Sequence, residues 1–228
     1  MVHRRPGPPT GRRPVERRRR RTTRLVLVGA LVVGGWLAVH RLRTGAPLSP
    51  LRARIVALAD AQVGYRTSPA DSYCNRFSAY WDAGTDCGDD GDRAEEWCAD
   101  FAAWVWAQAG AAVTYALTPG DLNAASASFY AWGVRQRTWH PVGSGYTPQP
   151  GDVAVYGLDT ATVQATHVAV VVAATGDPAA PDVVNGDGDR TGFSVVEVGH
   201  RQADADVPGR AGALSGYVSP STRATTAS

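Results

Sequence analysis

The chain contains no lysine; all 23 of its basic residues are arginine. Cysteine is scarce, with three in 228 residues. No apolar run exceeds about 15 residues, and the longest spans Leu25 to Val39. Each shortage excludes something. The formal net charge is +2, yet residues 1–40 set ten arginines against Glu16, for +9, which leaves residues 41–228 at −7. A basic body suited to nucleic acid is therefore absent, and no nucleic-acid partner is expected. The arginine-rich tail is better explained by a membrane. Three cysteines cannot all pair within one chain, so one disulfide and one leftover thiol are expected outside the cytoplasm. No internal repeat is present.

The apolar run, preceded by Arg17 to Arg21 and Arg24, is a signal peptide or a short signal-anchor helix. Arginine-dense flanks stay in the cytoplasm, so the chain beyond residue 40 should be translocated. Pro47 after Ala46 is a poor start for a mature chain, which favours an uncleaved anchor over a secreted product. The expected organisation is a disordered basic cytoplasmic tail (1–24), a transmembrane segment (25–40), a linker (41–48), one catalytic-size domain (49–218) and a flexible tail (219–228).

Ser49 and Pro50 cap and open a first helix that stops at Gly64. Residues 65–93 read as irregular, with Tyr73, Tyr80 and Trp81 packing. A second helix is expected over 95–109, with Glu95 and Glu96 as acids of its first turn and Gly110 closing it. A third is expected from Asp121 to about Val134, burying Leu122, Phe129, Tyr130 and Trp132. The period then changes to extended: 153–156, 167–173, 181–185, 193–198 and 214–218 read as strands. Helices followed by a run of strands predict an α+β domain with an antiparallel sheet.

Cys98 opens the apolar helix Phe101–Ala109. A thiol at a helix N-terminus sits at the positive end of the macrodipole, which favours thiolate. Of three open cysteine pairings, Cys74 with Cys87 brackets a loop and leaves Cys98 free. A thiolate that attacks an amide needs a base, a group that orients the base, and donors for the oxyanion. His3 and His40 lie in the tail and at the end of the apolar run, and His140 precedes a proline in a loop. His167 starts the most apolar strand, and His200 comes just after another. The order Cys98, His167, Asn185 then matches a papain-like arrangement of nucleophile, base and orienting group.

Four segments in order, EEWCADFAAWVW, PGDVAVY, HVAVVV and VVNGDGD, resemble the CHAP domain (cysteine, histidine-dependent amidohydrolase/peptidase), a papain-like family related to NlpC-type peptidases. The resemblance covers residues 49–218. It implies helices packed on an antiparallel sheet and an amidase or endopeptidase whose partner is peptidoglycan, with Cys98 as nucleophile and His167 as general base. Asn185 stands where the family places Glu, Asp or Asn. Asp187, two residues on, is a second candidate for the orienting role and for the substrate cleft; Trp97 reads first as core, with Trp104 and Trp106, and second as a cleft residue beside the nucleophile. No cofactor is required by this reading. Asp86, Asp89, Asp90, Asp92 and Asp100 are hard oxygen ligands in or near a glycine-rich loop and would suit calcium, as some CHAP domains bind it there; a solvated acidic loop is the plainer account. Two rivals stand beside the hydrolase: a non-catalytic, membrane-anchored wall-binding module of the same fold, and an acyl transferase using the same thiol.

Overall fold

Ser49 and Pro50 open the first helix, α1 (Pro50–Asp60): the Ser49 side chain accepts the Arg52 amide at 3.4 Å, and Pro50 takes the first helical position, where its missing N–H costs nothing. The computed structural model describes residues 47–69, 72–88, 91–188, 197–199 and 212–222, with backbone alone at 197–199. The basic tail (1–24), the apolar segment (25–40) and linker residues 41–46 lie outside the described residues. So do Asp89, Asp90, residues 193–196 of the fourth expected strand, and 223–228. All the elements below belong to the unit that begins at Leu48. Among the described residues no helix is long and apolar enough to cross a membrane.

Residues 65–93 are more regular than their composition suggests. β1 (Cys74–Asn75), β2 (Thr85–Asp86) and β3 (Arg93–Ala94) form a small antiparallel sheet in the order β1-β3-β2, with α2 (Arg76–Tyr80) between β1 and β2. Asn75 caps α2 by accepting the amides of Phe77 and Ser78 at 2.9 and 2.8 Å, and a Cys74–Cys87 disulfide ties the segment together. Two-residue strands carry no hydrophobic period, so no pattern announces them. Tyr80, expected to pack, is instead exposed.

Helix α3 (Cys98–Ala109) begins at the thiol itself, three residues later than expected, so Glu95 and Glu96 stay in the approach to it. Gly110, at φ +92°, ends it in the left-handed conformation that glycine permits. Helix α4 (Ala127–Gln136) starts six residues after the expected Asp121. Backbone bonds hold Leu122 to an earlier loop instead, Leu122 N–H to Thr114 C=O at 3.0 Å and Ala116 N–H to Leu122 C=O at 2.9 Å, and Asp121 pairs with Arg135. Tyr130 is only half-buried.

The main sheet has six antiparallel strands: β4 (Trp139–Pro141), β5 (Val153–Tyr156), β6 (His167–Ala173), β7 (Asp182–Asn185), β8 (Glu197–Gly199) and β9 (Leu214–Val218), in the order β4-β9-β5-β6-β7-β8. His140, expected in a loop, pairs with Tyr217 across β4 and β9. One sheet face obeys the two-residue period: Val153, Val155, Val168, Val170, Val184 and Val218 pack with Ile55, Phe101, Val105, Trp106, Phe129 and Trp132 of the helices. The other face carries Ala154, Tyr156, Ala169, Val171, Val183 and Tyr217. Ser219, where the chain was expected to begin fraying, bonds Asp152 at 2.9 Å, and Ser221 C=O accepts the Ala112 amide at 2.8 Å. The fold is thus the expected α+β class, helices on an antiparallel sheet.

The helix layer comes close to the chain just past β7. A Cβ added at Gly186 would lie 2.5 Å from Phe101 Cβ and 2.7 Å from its Cγ. Gly186→Ala should therefore overpack the core at a cost of about 1–3 kcal/mol, and thermal melting should register it as a fall of several degrees.

Candidate active site

Cys98 is the first residue of α3 and is nearly buried, at 6 % exposure. Its sulfur lies near the start of β6, where the Val168 backbone amide favours the thiolate. The preceding residue on that strand is His167, 1 % exposed. Asn185 sits on the neighbouring strand. Because Ala169 pairs with Asn185 across β6 and β7, His167 and Asn185 are diagonal neighbours on one sheet face, within reach of a long side chain. His167 Nε2 and Asn185 Oδ1 are 3.0 Å apart. A carboxamide oxygen can only accept, so Nε2 carries the proton and Nδ1 keeps its lone pair. The topology thereby brings Cys98, His167 and Asn185 to one end of the sheet.

Burial governs the charge state of this group. Desolvation pushes the Cys98 thiol up to about 11; bonds from Ser126 and the Val168 amide pull it down, and the nearby carboxylates of Asp187 and Asp100 push it up further. Desolvation likewise lowers His167 to about 4, opposed by its bond to Asn185. The resting pair is therefore neutral thiol and neutral imidazole. Both shifts run against the thiolate that the helix dipole by itself would favour.

Two acids hold the helix start in place. Trp97, the residue before α3, has no side-chain cap; its amide donates to Asp187 Oδ2 at 3.2 Å. Asp187 is buried with a left-handed backbone, φ +56°. Its carboxylate is turned onto the start of the helix rather than lining the cleft, a correction to its expected place. Asp100 is fully buried: Ser78 donates to Oδ2 at 2.6 Å, Tyr115 donates to Oδ1, and Trp81 donates to the Asp100 carbonyl at 3.0 Å. Burial raises the Asp100 carboxyl, and these two hydroxyls lower it. Each oxygen of the Asp100 carboxylate thus accepts a bond from a hydroxyl. Asp86 accepts the Gly88 amide at 2.7 Å, and Asp92 lies next to β3. Among the described residues no group of three or more His, Cys, Asp or Glu could hold a metal ion. Asp89 and Asp90 are outside them.

Trp97 takes its core reading and not the cleft one. It is fully buried, stacked on Phe77 with ring centroids 5.2 Å apart and meeting Tyr65 and Phe101 edge-on. It presents no surface to a substrate. The cleft at the sulfur, about 250 Å³, is lined instead by Glu96, Cys98, Ala124–Ala127 and Val163–Thr166. Two features here escaped the sequence. Ser126 Oγ lies 3.2 Å from Cys98 Sγ, although 28 residues separate them. Val163, half-exposed on the cleft wall, has φ +52°, a strained state for a β-branched residue. Its loop is fixed by paired backbone bonds between Asp159 and Gln164 at 2.8 and 3.1 Å and by Asp159 bonds to Ala161 and Thr162. No residue-type signal marks either position.

A thiol at a helix start and an imidazole at a strand start thus lie toward one end of helices packed against an antiparallel sheet. Residues 89–186 match the family model of the CHAP domain, a span that holds Cys98, His167 and Asn185. No curated protein and no solved structure matches the chain. The CHAP domain implies amidase or peptidase activity of the peptidoglycan-hydrolase type, and such domains are generally cysteine- and histidine-dependent amidohydrolases.

The charge states generate two expected outcomes. Cys98 is the free cysteine, so iodoacetamide labelling reports it alone. Its rate should be low at neutral pH and climb toward about 11; a plateau reached below pH 7 would instead mean a resting thiolate–imidazolium pair. For stability, the folded His167 binds its proton less readily than its ordinary value of 6.5. The unfolded chain therefore takes up the proton first as pH falls, and stability drops between 6.5 and about 4. Melting temperatures across that window should fall more steeply for the native chain than for His167→Gln.

Proposed function

We propose that this protein is an extracytoplasmic cysteine hydrolase that opens amide bonds in peptidoglycan through Cys98, His167 and Asn185. The observation that carries the reading is the His167–Asn185 bond at 3.0 Å beside a free thiol at a helix N-terminus. Asn185 holds the imidazole with Nδ1 unprotonated, the form a general base requires. As the sulfur attacks the carbonyl carbon, the thiol proton passes to the imidazole. The carbonyl electron pair moves onto oxygen, where the Cys98 backbone N–H, unused within the helix, donates to it. Collapse expels the amine with the imidazole's proton and leaves a thioester, which water hydrolyses with the same histidine as base.

A resting neutral pair suits this order of events, because the proton moves only as the new bond forms. Neutral Asn185 orients the imidazolium without cancelling its charge, so Asn185→Asp should raise the His167 pKa and move the acid limb of the pH–rate profile upward. No cofactor enters the proposed chemistry. The arginine-flanked segment 25–40 is proposed to anchor the chain in the cytoplasmic membrane, with the domain on the outer side.

Purified peptidoglycan treated with the full chain should release new amino groups. Cys98→Ala should abolish the release with little change in melting temperature, and His167→Ala should lower kcat by about 10²–10⁴-fold. Equal release by the Cys98→Ala chain, or wall retention by the native chain without any product, would overturn the proposal.

A further inference from the structure

Ser126 is where a helix ordinarily takes its cap. It immediately precedes α4, and a serine there usually accepts an amide of the first turn. Here it does not: Ser126 has helical backbone angles, φ −54° and ψ −37°, and makes no side-chain cap bond. Its hydroxyl is directed 3.2 Å from Cys98 Sγ instead. Both residues are nearly buried and both line the same cleft. Asn123 Oδ1 accepts the Ala125 amide at 3.0 Å ahead of the helix, so the Ser126 hydroxyl is not needed as a cap and meets the sulfur instead.

We propose that Ser126 is a catalytic residue whose hydroxyl donates to Cys98 Sγ and stabilises the negative charge that grows on sulfur as the thiol proton passes to His167. The inference rests on the reading of Cys98 as nucleophile. In the step, the S–H bond breaks, the proton joins the imidazole, and the electron pair stays on sulfur until it forms the bond to the carbonyl carbon. A thiolate has no proton to give, so in that state the bond runs from Ser126 Oγ–H to sulfur. Hydrogen bonds to charged acceptors are about twice as strong as neutral ones, so the contact strengthens as charge develops. The other groups around the sulfur do not replace it. Asp100 on its own helix and Asp187 past β7 are carboxylates that oppose negative charge. Glu96 at the cleft rim is a further acid. His167 on β6 is the proton's destination. The Val168 amide of β6 also lowers the thiol, and the Ser126 hydroxyl approaches the sulfur to 3.2 Å from the helix layer.

The test is iodoacetamide labelling of Cys98 in the detergent-solubilised full chain, with intact mass read across pH, which needs no wall substrate. Ser126→Ala should label about tenfold more slowly at pH 8, the effect of one unit of thiol pKa, and its melting temperature should hold, since no cap is lost. Ser126→Thr, which keeps the hydroxyl, should restore the rate. If the alanine variant does not fold, Ser126→Gly gives the same comparison. Labelling of the hydroxyl-free variant at the native rate overturns the role of Ser126, as does a threonine variant no faster than alanine. The two readings separate cleanly. A slowed profile in a chain that releases nothing from peptidoglycan keeps Ser126 and removes the proposed substrate. An unchanged profile in a chain that cleaves peptidoglycan keeps the proposed function and removes Ser126.

Discussion

The site depends on how closely the start of α3 meets the end of the β6–β7 hairpin. Gly186 lets Phe101 approach to a distance that no side chain would allow. One residue further, Asp187 accepts the amide of Trp97 at 3.2 Å and so supplies, from 90 positions away, the cap that α3 lacks locally. These two contacts set the helix bearing Cys98 against the strands bearing His167 and Asn185. The aromatic group of Tyr65, Phe77, Trp97, Phe101 and Trp104 buttresses the helix from the other side. The nucleophile and its base thus hold their places because a packed core and a buried carboxylate position the elements that carry them.

That packing has an electrostatic cost. Removing water from the sulfur raises the thiol to about 11 and lowers the imidazole to about 4, so the pair rests uncharged. Asp187 and Asp100, which organise the helix start, also oppose a thiolate. Against them stand the Ser126 hydroxyl and the Val168 amide. A site of this kind holds no separated charge between reactions, and it relies on short-range donors once charge develops.

Part of this was readable in the residues alone. Cys98 stood out because it begins an apolar helix, and His167 because it begins the most apolar strand. Asn185 stood out because it closes the next strand before a glycine. Each marks a boundary where a pattern changes, and boundaries survive in sequence. The short β-branched runs of β5 and β6 and the Ser49-Pro50 start of α1 are local for the same reason, so the α+β class was legible as well. Ser126 was not, since only the packing of α4 brings it to the sulfur. Trp97 kept two readings because an indole reads alike in a core or a cleft, and burial decides for the core. The shifts that run against a thiolate were not legible because the dipole is a property of one helix, while desolvation is a property of everything packed around it. The β1-β3-β2 sheet was missed because two-residue strands have no period to detect.

The central claim is that one sulfur performs the amide cleavage. The most direct measurement labels the native full chain to completion with iodoacetamide, shows by peptide mass mapping that Cys98 alone is modified, and then compares labelled and unlabelled chain on purified peptidoglycan by mass spectrometry of released fragments. Fragments with new amino termini from the unlabelled chain, and none from the labelled chain, are the expected result. Undiminished release after complete labelling of Cys98 would contradict the account.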